Sequence, residues 1–234
     1  MSISISIIIP TLNEQDNIGS CLDNLFLLAD GNATEAPEIL VVDGGSTDQT
    51  INEVVARGIT LVSSPPGRGT QQHTGAQAAS SDILLFLHSD TGLPSNFSGH
   101  IYATLHNRNI AAGAFRLKIN GHKPGFRLIE AGIQLRSKMF NLPYGDQALF
   151  MHRKTYFTAG GFSEQPIMED VALVRQLKKL GRVVLAPAHV TTSARRWQQH
   201  GLLKTTLINQ LMLLGNALGL SPQQLARFYY AQRK

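Results

Sequence analysis

Two carboxylates follow apolar segments that have the composition of buried strands. Asp43 closes one apolar run and precedes two glycines, and Asp90 comes after the apolar run 84–87. Parallel strands of α/β sheets bind nucleotides at their carboxyl ends. One acid at such an edge can hold a base or ribose, and the other a metal ion with its phosphates. The pair therefore predicts a nucleotide-diphosphate site at one edge of a sheet.

The elements that must position these acids alternate along the first half of the chain. We predict strands at Ile3–Ile9, Ile39–Asp43, Thr60–Ser63 and Ile83–Leu87, and helices at Asp16–Leu28, Thr50–Arg57, Thr70–Ala79 and from Pro94 to Leu105. This alternation is typical of a mostly parallel sheet. The order loosens after residue 110, where we predict strands at Ala112–Leu117 and Ala148–His152 and helices at Phe126–Met139 and Glu169–Leu180.

Composition predicts one domain over residues 1–234, because a chain of this length with 43% hydrophobic residues can bury a full core. Cys21 is the single cysteine, so no disulfide can form within the chain, and a reducing cytoplasmic setting fits best. The N-terminal segment lacks a basic region and contains Pro10, so we expect a strand there and not a signal peptide.

Charge is divided unevenly along the chain. Residues 1–100 carry two basic and eleven acidic side chains, whereas residues 101–234 carry nineteen basic and five acidic ones. This division suits a metal site facing a surface for phosphate or an anionic membrane, although ordinary surface charge also explains it. We find no basic run interleaved with aromatic residues, so no nucleic acid is expected as a partner.

Three further motifs carry polar groups. Pro10–Glu14 follows the first strand and offers a carboxylate, although turn chemistry explains it equally well. Arg68 stands between two glycines at a helix start, where backbone N–H groups favour anions; a solvated arginine is the alternative. Glu169 and Asp170 open a helix, either as a general base and its neighbour or as simple complements to the helix dipole.

As a set and in this order, these motifs resemble the family 2 glycosyltransferases of GT-A fold. The similarity covers roughly residues 3–197, with its blocks at 10–14, 41–48, 67–69, 85–90 and 168–170. It implies an α/β fold with a mostly parallel sheet flanked by helices, a Rossmann-like N-terminal half and a mixed acceptor-side half. The implied parts are a nucleotide-sugar half (about 1–110), an acceptor half (about 111–200) and a C-terminal helical segment (201–234).

The resemblance implies an inverting transfer of a sugar from a nucleotide-diphospho-sugar, with a UDP-sugar expected, to the hydroxyl of a small or lipid-linked acceptor. A carboxylate base deprotonates that hydroxyl, while Mn²⁺ or Mg²⁺ stabilises the departing diphosphate. Two alternatives stay open: a non-catalytic nucleotide-binding or scaffold protein, and a sugar-phosphate nucleotidyltransferase. The latter would ordinarily carry a glycine-rich basic loop directly after strand one, where this chain has Pro10–Glu14.

The resemblance also assigns site residues. It implies Asp170 as the base, with Glu169 beside it, and Asp90 as the metal ligand. The implied nucleotide-sugar contacts are Pro10, Thr11, Asn13, Glu14, Asp43, Gly44, Arg68, His88, Ser89 and Asp90. The implied acceptor or phosphate contacts are Asp146, Gln147, Arg196 and Trp197. His88 replaces the first acid of the family's Asp-x-Asp motif, which leaves a ligand, a sugar contact and a packed histidine open for it.

The segment 201–220 has leucines at helical spacing. They are Leu203, Leu207, Leu211, Leu214 and Leu218. Polar residues interrupt the segment, so it is not expected to cross a membrane. It can pack on the domain, form a homodimer contact or lie on a membrane. Accordingly, we expect a cytoplasmic protein, with peripheral contact at the inner face of the membrane as one of the alternatives.

Overall fold

A computed structural model of the chain describes residues 4–32, 36–121, 123–140, 143 and 145–231. Its strands are β1 (Ile5–Thr11), β2 (Glu38–Asp43), β3 (Thr60–Ser63), β4 (Ile83–Phe86), β5 (Thr91–Gly92), β6 (Ile110–Asn120), β7 (Phe150–His152) and β8 (Arg182–Ser193). Its helices are α1 (Gln15–Asn32), α2 (Thr50–Val55), α3 (Arg68–Ala78), α4 (Phe97–Leu105), α5 (Pro124–Phe140), α6 (Arg153–Thr158), α7 (Glu169–Leu180), α8 (Arg195–His200), α9 (Leu202–Ala217) and α10 (Pro222–Ala231).

The strands form a single sheet in the order β3-β2-β1-β4-β7-β6-β8-β5. The first four are parallel, β7 runs antiparallel to both of its neighbours, and β6 and β8 are parallel. The predicted α/β fold, with a mostly parallel sheet and a mixed second half, is confirmed. Strand β1 lies between β2 and β4, so the strands that precede Asp43 and Asp90 end on the same side of the sheet without being neighbours.

The central strands are apolar throughout because helices cover both faces of the sheet. Successive side chains point to opposite faces, so Ile7 and Ile9 of β1 enter one core cluster and Ile8 enters the other. Helices α1 and α4 close the first cluster, and α3 and α7 close the second. The two covering layers fix where the strands end, and therefore where the loops that carry the acids begin.

A close approach at Gly75 packs α3 against the sheet. A β-carbon at this position would lie 2.5 Å from Cγ2 of Ile8 and 2.8 Å from Cγ2 of Val42. We expect Gly75→Ala to destabilise the protein by about 1–3 kcal/mol, because both neighbours are buried strand residues. Gly132→Ala is the matched control: it lies within α5 with open space around it, and it should stabilise by about 0.5–1 kcal/mol. Thermal unfolding of both variants measures the contrast, and equal melting temperatures would contradict it.

The C-terminal helices pack onto the domain, which was one of the three alternatives for this segment. Met212 of α9 and Leu225 of α10 form a buried cluster with Met168 and Val171 at the start of α7. In the part of the chain that the structure describes, no helix is long and apolar enough to cross a membrane.

Candidate functional site

The carboxyl ends of β1, β2 and β4 form one edge, as predicted, and Asp43 organises the loop at its centre. Its Oδ2 accepts the backbone N–H groups of Gly45 and Ser46, both at 2.8 Å, and its Oδ1 accepts the Ser46 hydroxyl at 2.5 Å. Thr11, opposite Asp43 in the β1–β2 register, donates to the same Oδ1 at 3.3 Å. The carboxylate is only 4% exposed, so its first role is to hold the glycine turn in place.

Gln71 of α3 braces the same edge, a role that sequence reasoning missed. Its Nε2 donates to the backbone oxygens of Thr11 and Val42, at 2.7 and 2.8 Å. A β-carbon at Gly44 would lie 3.0 Å from the Gln71 amide carbon, so the glycine leaves room for the Gln71 side chain. The exits of β1 and β2 are thus fixed by buried polar contacts.

The predicted contacts Asn13 and Glu14 also link loops. Asn13 has a positive φ of 55°, and its Oδ1 accepts the backbone N–H of Thr47 at 2.9 Å. Glu14 accepts from Asn17 at 2.6 Å, and its Oε2 lies 3.7 Å from a guanidinium nitrogen of Arg195. Pro10 lies half-buried beside them at the end of β1. Donor contacts from these residues stay predictions.

A cleft of about 190 Å³ opens beside this edge. Seven of the predicted site residues line it together: Arg68, His88, Asp90, Asp146, Glu169, Asp170 and Trp197. They come from parts of the sequence that are more than one hundred residues apart, namely the start of α3, the loop after β4, the 3-10 turn at Gly145–Gln147, the start of α7 and helix α8. The cleft therefore unites the two halves of the chain at one place.

Asp170 is held at the cleft by backbone donors. Met168 has a positive φ of 66° and begins the turn that leads into α7. The Oδ2 atom of Asp170 accepts the N–H of Gly145 at 2.8 Å, and its Oδ1 accepts the N–H of Val171 at 2.7 Å. These contacts fix the carboxylate but leave lone pairs on both oxygens for a third group.

Glu169 lies deeper and pairs with a cation from the other half of the chain. It is 4% exposed, and its Oε1 lies 3.6 Å from Nη1 of Arg68. Burial, together with the negative charge of Asp170, raises the pKa of Glu169 above its usual value. Arg68, which the sequence placed among possible anion-binding groups, opposes this shift and joins α3 to α7.

The raised pKa of Glu169 predicts a pH-dependent stability. Because the folded state favours the protonated acid, its stabilising contribution is present at low pH and is lost as the pH rises through the folded pKa. The melting temperature of Glu169→Gln minus that of wild type should therefore rise as the pH is raised above the ordinary pKa of a glutamate, about 4.3. Glu164→Gln, a change at an exposed acid, is the control for the substitution itself. A difference for Glu169→Gln that falls with pH would contradict the assignment.

His88 and Asp170 converge on Gly145. A β-carbon at Gly145 would lie 3.5 Å from both Nε2 of His88 and Oδ2 of Asp170. The histidine therefore faces the acid-lined side of the cleft. The role of His88 as a metal ligand, a sugar contact or a packed histidine stays a prediction.

The residues present fit a divalent cation that shares its coordination with phosphates. Among the residues described, no group of three or more histidines, cysteines and acids is arranged to hold a metal unaided. Mg²⁺ and Mn²⁺ typically need only one or two carboxylates when a nucleotide diphosphate supplies further oxygens. Asp90 offers a carboxylate at the cleft, and His88 lies two residues before it.

Several predicted residues lie away from the cleft. Gln147 is fully buried: it donates to the backbone oxygen of Phe115 at 3.0 Å and accepts from Ser137 at 3.1 Å. These hydrogen bonds hold Gln147 between β6 and α5, and the expected acceptor or phosphate contact at Gln147 stays a prediction. Ser89 is buried and lines a neighbouring groove with Asp90. The side chain of Arg196 lies outside what the structure describes.

The opposite wall of the cleft was not predicted at all. It consists of residues from β8, α5, α9 and α10, namely Thr192, Ser193, Ile129, Ile133, Thr206, Asn209, Gln210, Met212, Leu213 and Tyr229. The polar residues that interrupt the leucine pattern of α9 were the available signal, because Asn209 and Gln210 turn towards the cleft. This wall is mostly neutral and combines apolar and hydrogen-bonding side chains.

An α/β sheet with a cleft at the carboxyl ends of its strands is the arrangement in which open α/β proteins bind their ligands. A model of glycosyl transferase family 2 matches residues 6–163, and the chain belongs to this family.

The similar solved structures share the GT-A architecture. Glucosyl-3-phosphoglycerate synthase from Mycobacterium tuberculosis, in complex with Mn²⁺, UDP and phosphoglyceric acid, aligns with a TM-score of 0.58 and 23% identity. The alignment covers 82% of this chain and 70% of that one. TarS from S. aureus, in complex with UDP-GlcNAc, aligns with a TM-score of 0.63 and 19% identity over 82% of this chain and 58% of that one. At identities below 25%, these structural alignments show the shared fold alone.

The curated relatives match over a shorter segment. Glucosyl-3-phosphoglycerate synthase of Mycolicibacterium paratuberculosis is 36% identical over 96 residues, which is 37% of this chain and 28% of that protein. The same enzyme of Mycobacterium tuberculosis is 35% identical over 96 residues, covering 37% of this chain and 29% of that protein. The matched segment thus spans less than a third of each relative.

Proposed function

We propose that the chain is an inverting glycosyltransferase that moves a sugar from a UDP-sugar to an acceptor hydroxyl with the aid of Mn²⁺ or Mg²⁺. One observation carries the proposal: Arg68, His88, Asp90 and Asp170 meet in one cleft beside the carboxyl ends of parallel strands. The reaction needs a cation near the diphosphate, a ligand for the metal and a general base for the acceptor hydroxyl, and the cleft offers all three.

Asp90 would hold the metal, with His88 as the second group on the same loop. When bound, the metal neutralises charge that develops on the departing diphosphate. Arg68 stands at the start of α3, where its guanidinium and the helix N-terminus both favour an anion. Glu169 keeps that guanidinium at the wall of the cleft through the 3.6 Å contact. In this proposal the donor diphosphate would lie between α3 and the loop after β4.

Asp170 is the proposed base. It is the half-buried acid of the cleft whose carboxylate is fixed by two backbone N–H groups. A fixed carboxylate can accept the proton of an acceptor hydroxyl without first reorganising. The deprotonated oxygen then attacks the anomeric carbon as the diphosphate departs from the opposite side, which inverts the configuration. Glu169 supports Asp170 through its ion pair with Arg68 and takes no proton from the acceptor.

The relatives support the donor class. Solved structures of glucosyl-3-phosphoglycerate synthase contain UDP with Mn²⁺ or Mg²⁺, and two contain UDP-glucose with Mn²⁺. The TarS structure contains UDP-GlcNAc. UDP is common to these complexes, whereas the sugar differs. We therefore propose UDP as the nucleotide and leave the sugar to experiment.

The wall of the cleft formed by β8, α5, α9 and α10 favours an amphiphilic acceptor. Ile133, Met212 and Leu213 offer apolar surface, and Asn209 and Gln210 offer neutral hydrogen-bonding groups. Trp197 stands at the same wall, where its ring can pack against a sugar or an aliphatic chain. We propose an acceptor with a hydroxyl group and an apolar portion, either a small molecule or one linked to a lipid.

Calorimetric titration tests the donor site. Purified protein would be titrated with UDP, GDP, UDP-glucose and UDP-GlcNAc in the presence of Mn²⁺, Mg²⁺ or a chelator. We expect metal-dependent binding of the uridine compounds and at least about tenfold weaker binding of GDP. If none of these compounds bound, the proposal would be overturned in favour of a non-catalytic scaffold.

A further inference from the structure

The outward side of α9 bears an apolar stripe, which we define as Leu203, Leu207, Leu211, Leu214 and Leu218. These residues are between 42% and 83% exposed. At 3.6 residues per turn they fall within an arc of about 80° on the helix surface. Contiguous apolar surface of this kind marks an interaction site, whereas single exposed leucines need no explanation.

The opposite side of α9 is already anchored. Thr205, Met212 and Gly215 are buried, and Met212 packs against the start of α7. These buried contacts hold α9 on the domain from the side opposite the stripe. The stripe is free to serve a partner, since its orientation is fixed by the buried side.

Two helices that contact α9 also carry exposed apolar side chains. Phe228 and Tyr230 of α10 are 41% and 51% exposed, and Leu128 and Leu135 of α5 are 78% and 59% exposed. Tyr230, whose ring has a polar tip, is of the type enriched where proteins meet the lipid headgroup layer.

Charge identifies the partner. No aspartate or glutamate follows Asp170, whereas ten lysines and arginines do. Lys204 on α9 and Arg227 on α10 are exposed. A second copy of this surface would bring cations against cations, but an anionic lipid surface would neutralise them. Apolar side chains flanked by cations are the combination that interfacial helices use.

We propose that the leucine stripe of α9 docks on a bilayer surface that contains anionic lipids, with the helix lying in the plane of the interface. The contact would be peripheral, which agrees with the lack of a membrane-crossing helix among the residues that the structure describes. The inner side of α9 lines the cleft, so docking would hold the cleft about one helix diameter, roughly 10 Å, from the lipid.

Vesicle co-sedimentation tests this proposal. The full chain would be mixed with phosphatidylcholine vesicles, with or without phosphatidylglycerol. We expect binding to the anionic vesicles that weakens with added salt, and at least about tenfold weaker binding to the neutral ones. The triple variant Leu203→Ser, Leu207→Ser and Leu214→Ser should lose at least about tenfold in affinity for anionic vesicles.

A matched control removes exposed apolar residues elsewhere. The control variant changes Leu27 of α1, Val55 of α2 and Leu180 of α7, which are 46–73% exposed, to serine. This variant should bind vesicles like wild type. Melting temperature and UDP titration report whether each variant keeps its fold and donor site. Should the leucine variant not fold, the charge reversal Lys204→Glu with Arg227→Glu replaces it and should remove the preference for anionic lipid.

Three results would overturn the proposal. The first is failure of the wild type to bind anionic vesicles. The second is equal binding by the folded leucine variant. The third is a wild-type dimer that the leucine variant converts to a monomer without any vesicle binding, which would assign the stripe to a second copy of the chain. Because the UDP titration is measured separately, failure of lipid docking would leave the proposed glycosyl transfer untouched.

Discussion

Asp170→Asn should slow sugar transfer by about 10³-fold while leaving UDP affinity within about twofold of wild type. Asparagine keeps an oxygen that can accept the N–H of Gly145, so the loop should stay in place. It cannot take a proton from an acceptor. Release of UDP from the donor measures the rate, with water as the acceptor until a better one is found, because water must be deprotonated too.

Asp16→Asn is the matched control for this variant. Asp16 is an exposed acid in the first turn of α1, just as Asp170 is an acid in the first turn of α7. If the only role of Asp170 were a favourable interaction with the dipole of α7, both variants should change the rate of sugar transfer only slightly. An unchanged rate in Asp170→Asn, or a loss of UDP affinity without a loss of rate, would contradict the role of base.

Asp90→Ala should weaken metal-dependent UDP binding by at least about 100-fold, since it removes the carboxylate that would share the cation with the diphosphate. In chelator, wild type and variant should bind UDP equally weakly. Titration with UDP at fixed Mn²⁺ gives both affinities.

Asp82→Ala supplies the control for Asp90→Ala. Asp82 is exposed and immediately precedes β4, whereas Asp90 follows that strand at the opposite edge of the sheet. Its removal should leave UDP binding unchanged. If Asp90→Ala bound UDP as tightly as wild type in Mn²⁺, the metal would have to be held by other residues.

The sequence predicted the strands of the first half well because β1, β2 and β4 are apolar runs, and Asp43 and Asp90 stand at the end of β2 and shortly after β4. The second half was harder for a physical reason. Strand β8 contains Pro187, which cannot donate to a strand ladder and argues against a strand in a sequence pattern. The structure accommodates it with a register shift, since Ala114 pairs with Leu185 but Arg116 pairs with His189. Such a bulge is defined by the pairing of β8 with β6, and the sequence of β8 alone does not reveal that pairing.

The site shows the same division. The carboxylates of Asp90 and Asp170 were predicted from their motifs, and the structure brings both to one cleft. Asp146 and Gln147 are adjacent in sequence, yet Asp146 lines the cleft while Gln147 is buried in hydrogen bonds to other elements. Gln71 had no motif at all, because its partners are backbone oxygens on two strands. Contacts between distant elements decided these roles.

The configuration of the released sugar tests the central proposal most directly. An α-linked UDP-sugar would be incubated with the protein and Mn²⁺, and the first-formed anomer would be followed by proton NMR before mutarotation. Direct displacement with Asp170 as the base predicts that the β anomer appears first, and that Asp170→Asn forms it about 10³-fold more slowly. First appearance of the α anomer, or no consumption of any UDP-sugar that binds, would contradict the account.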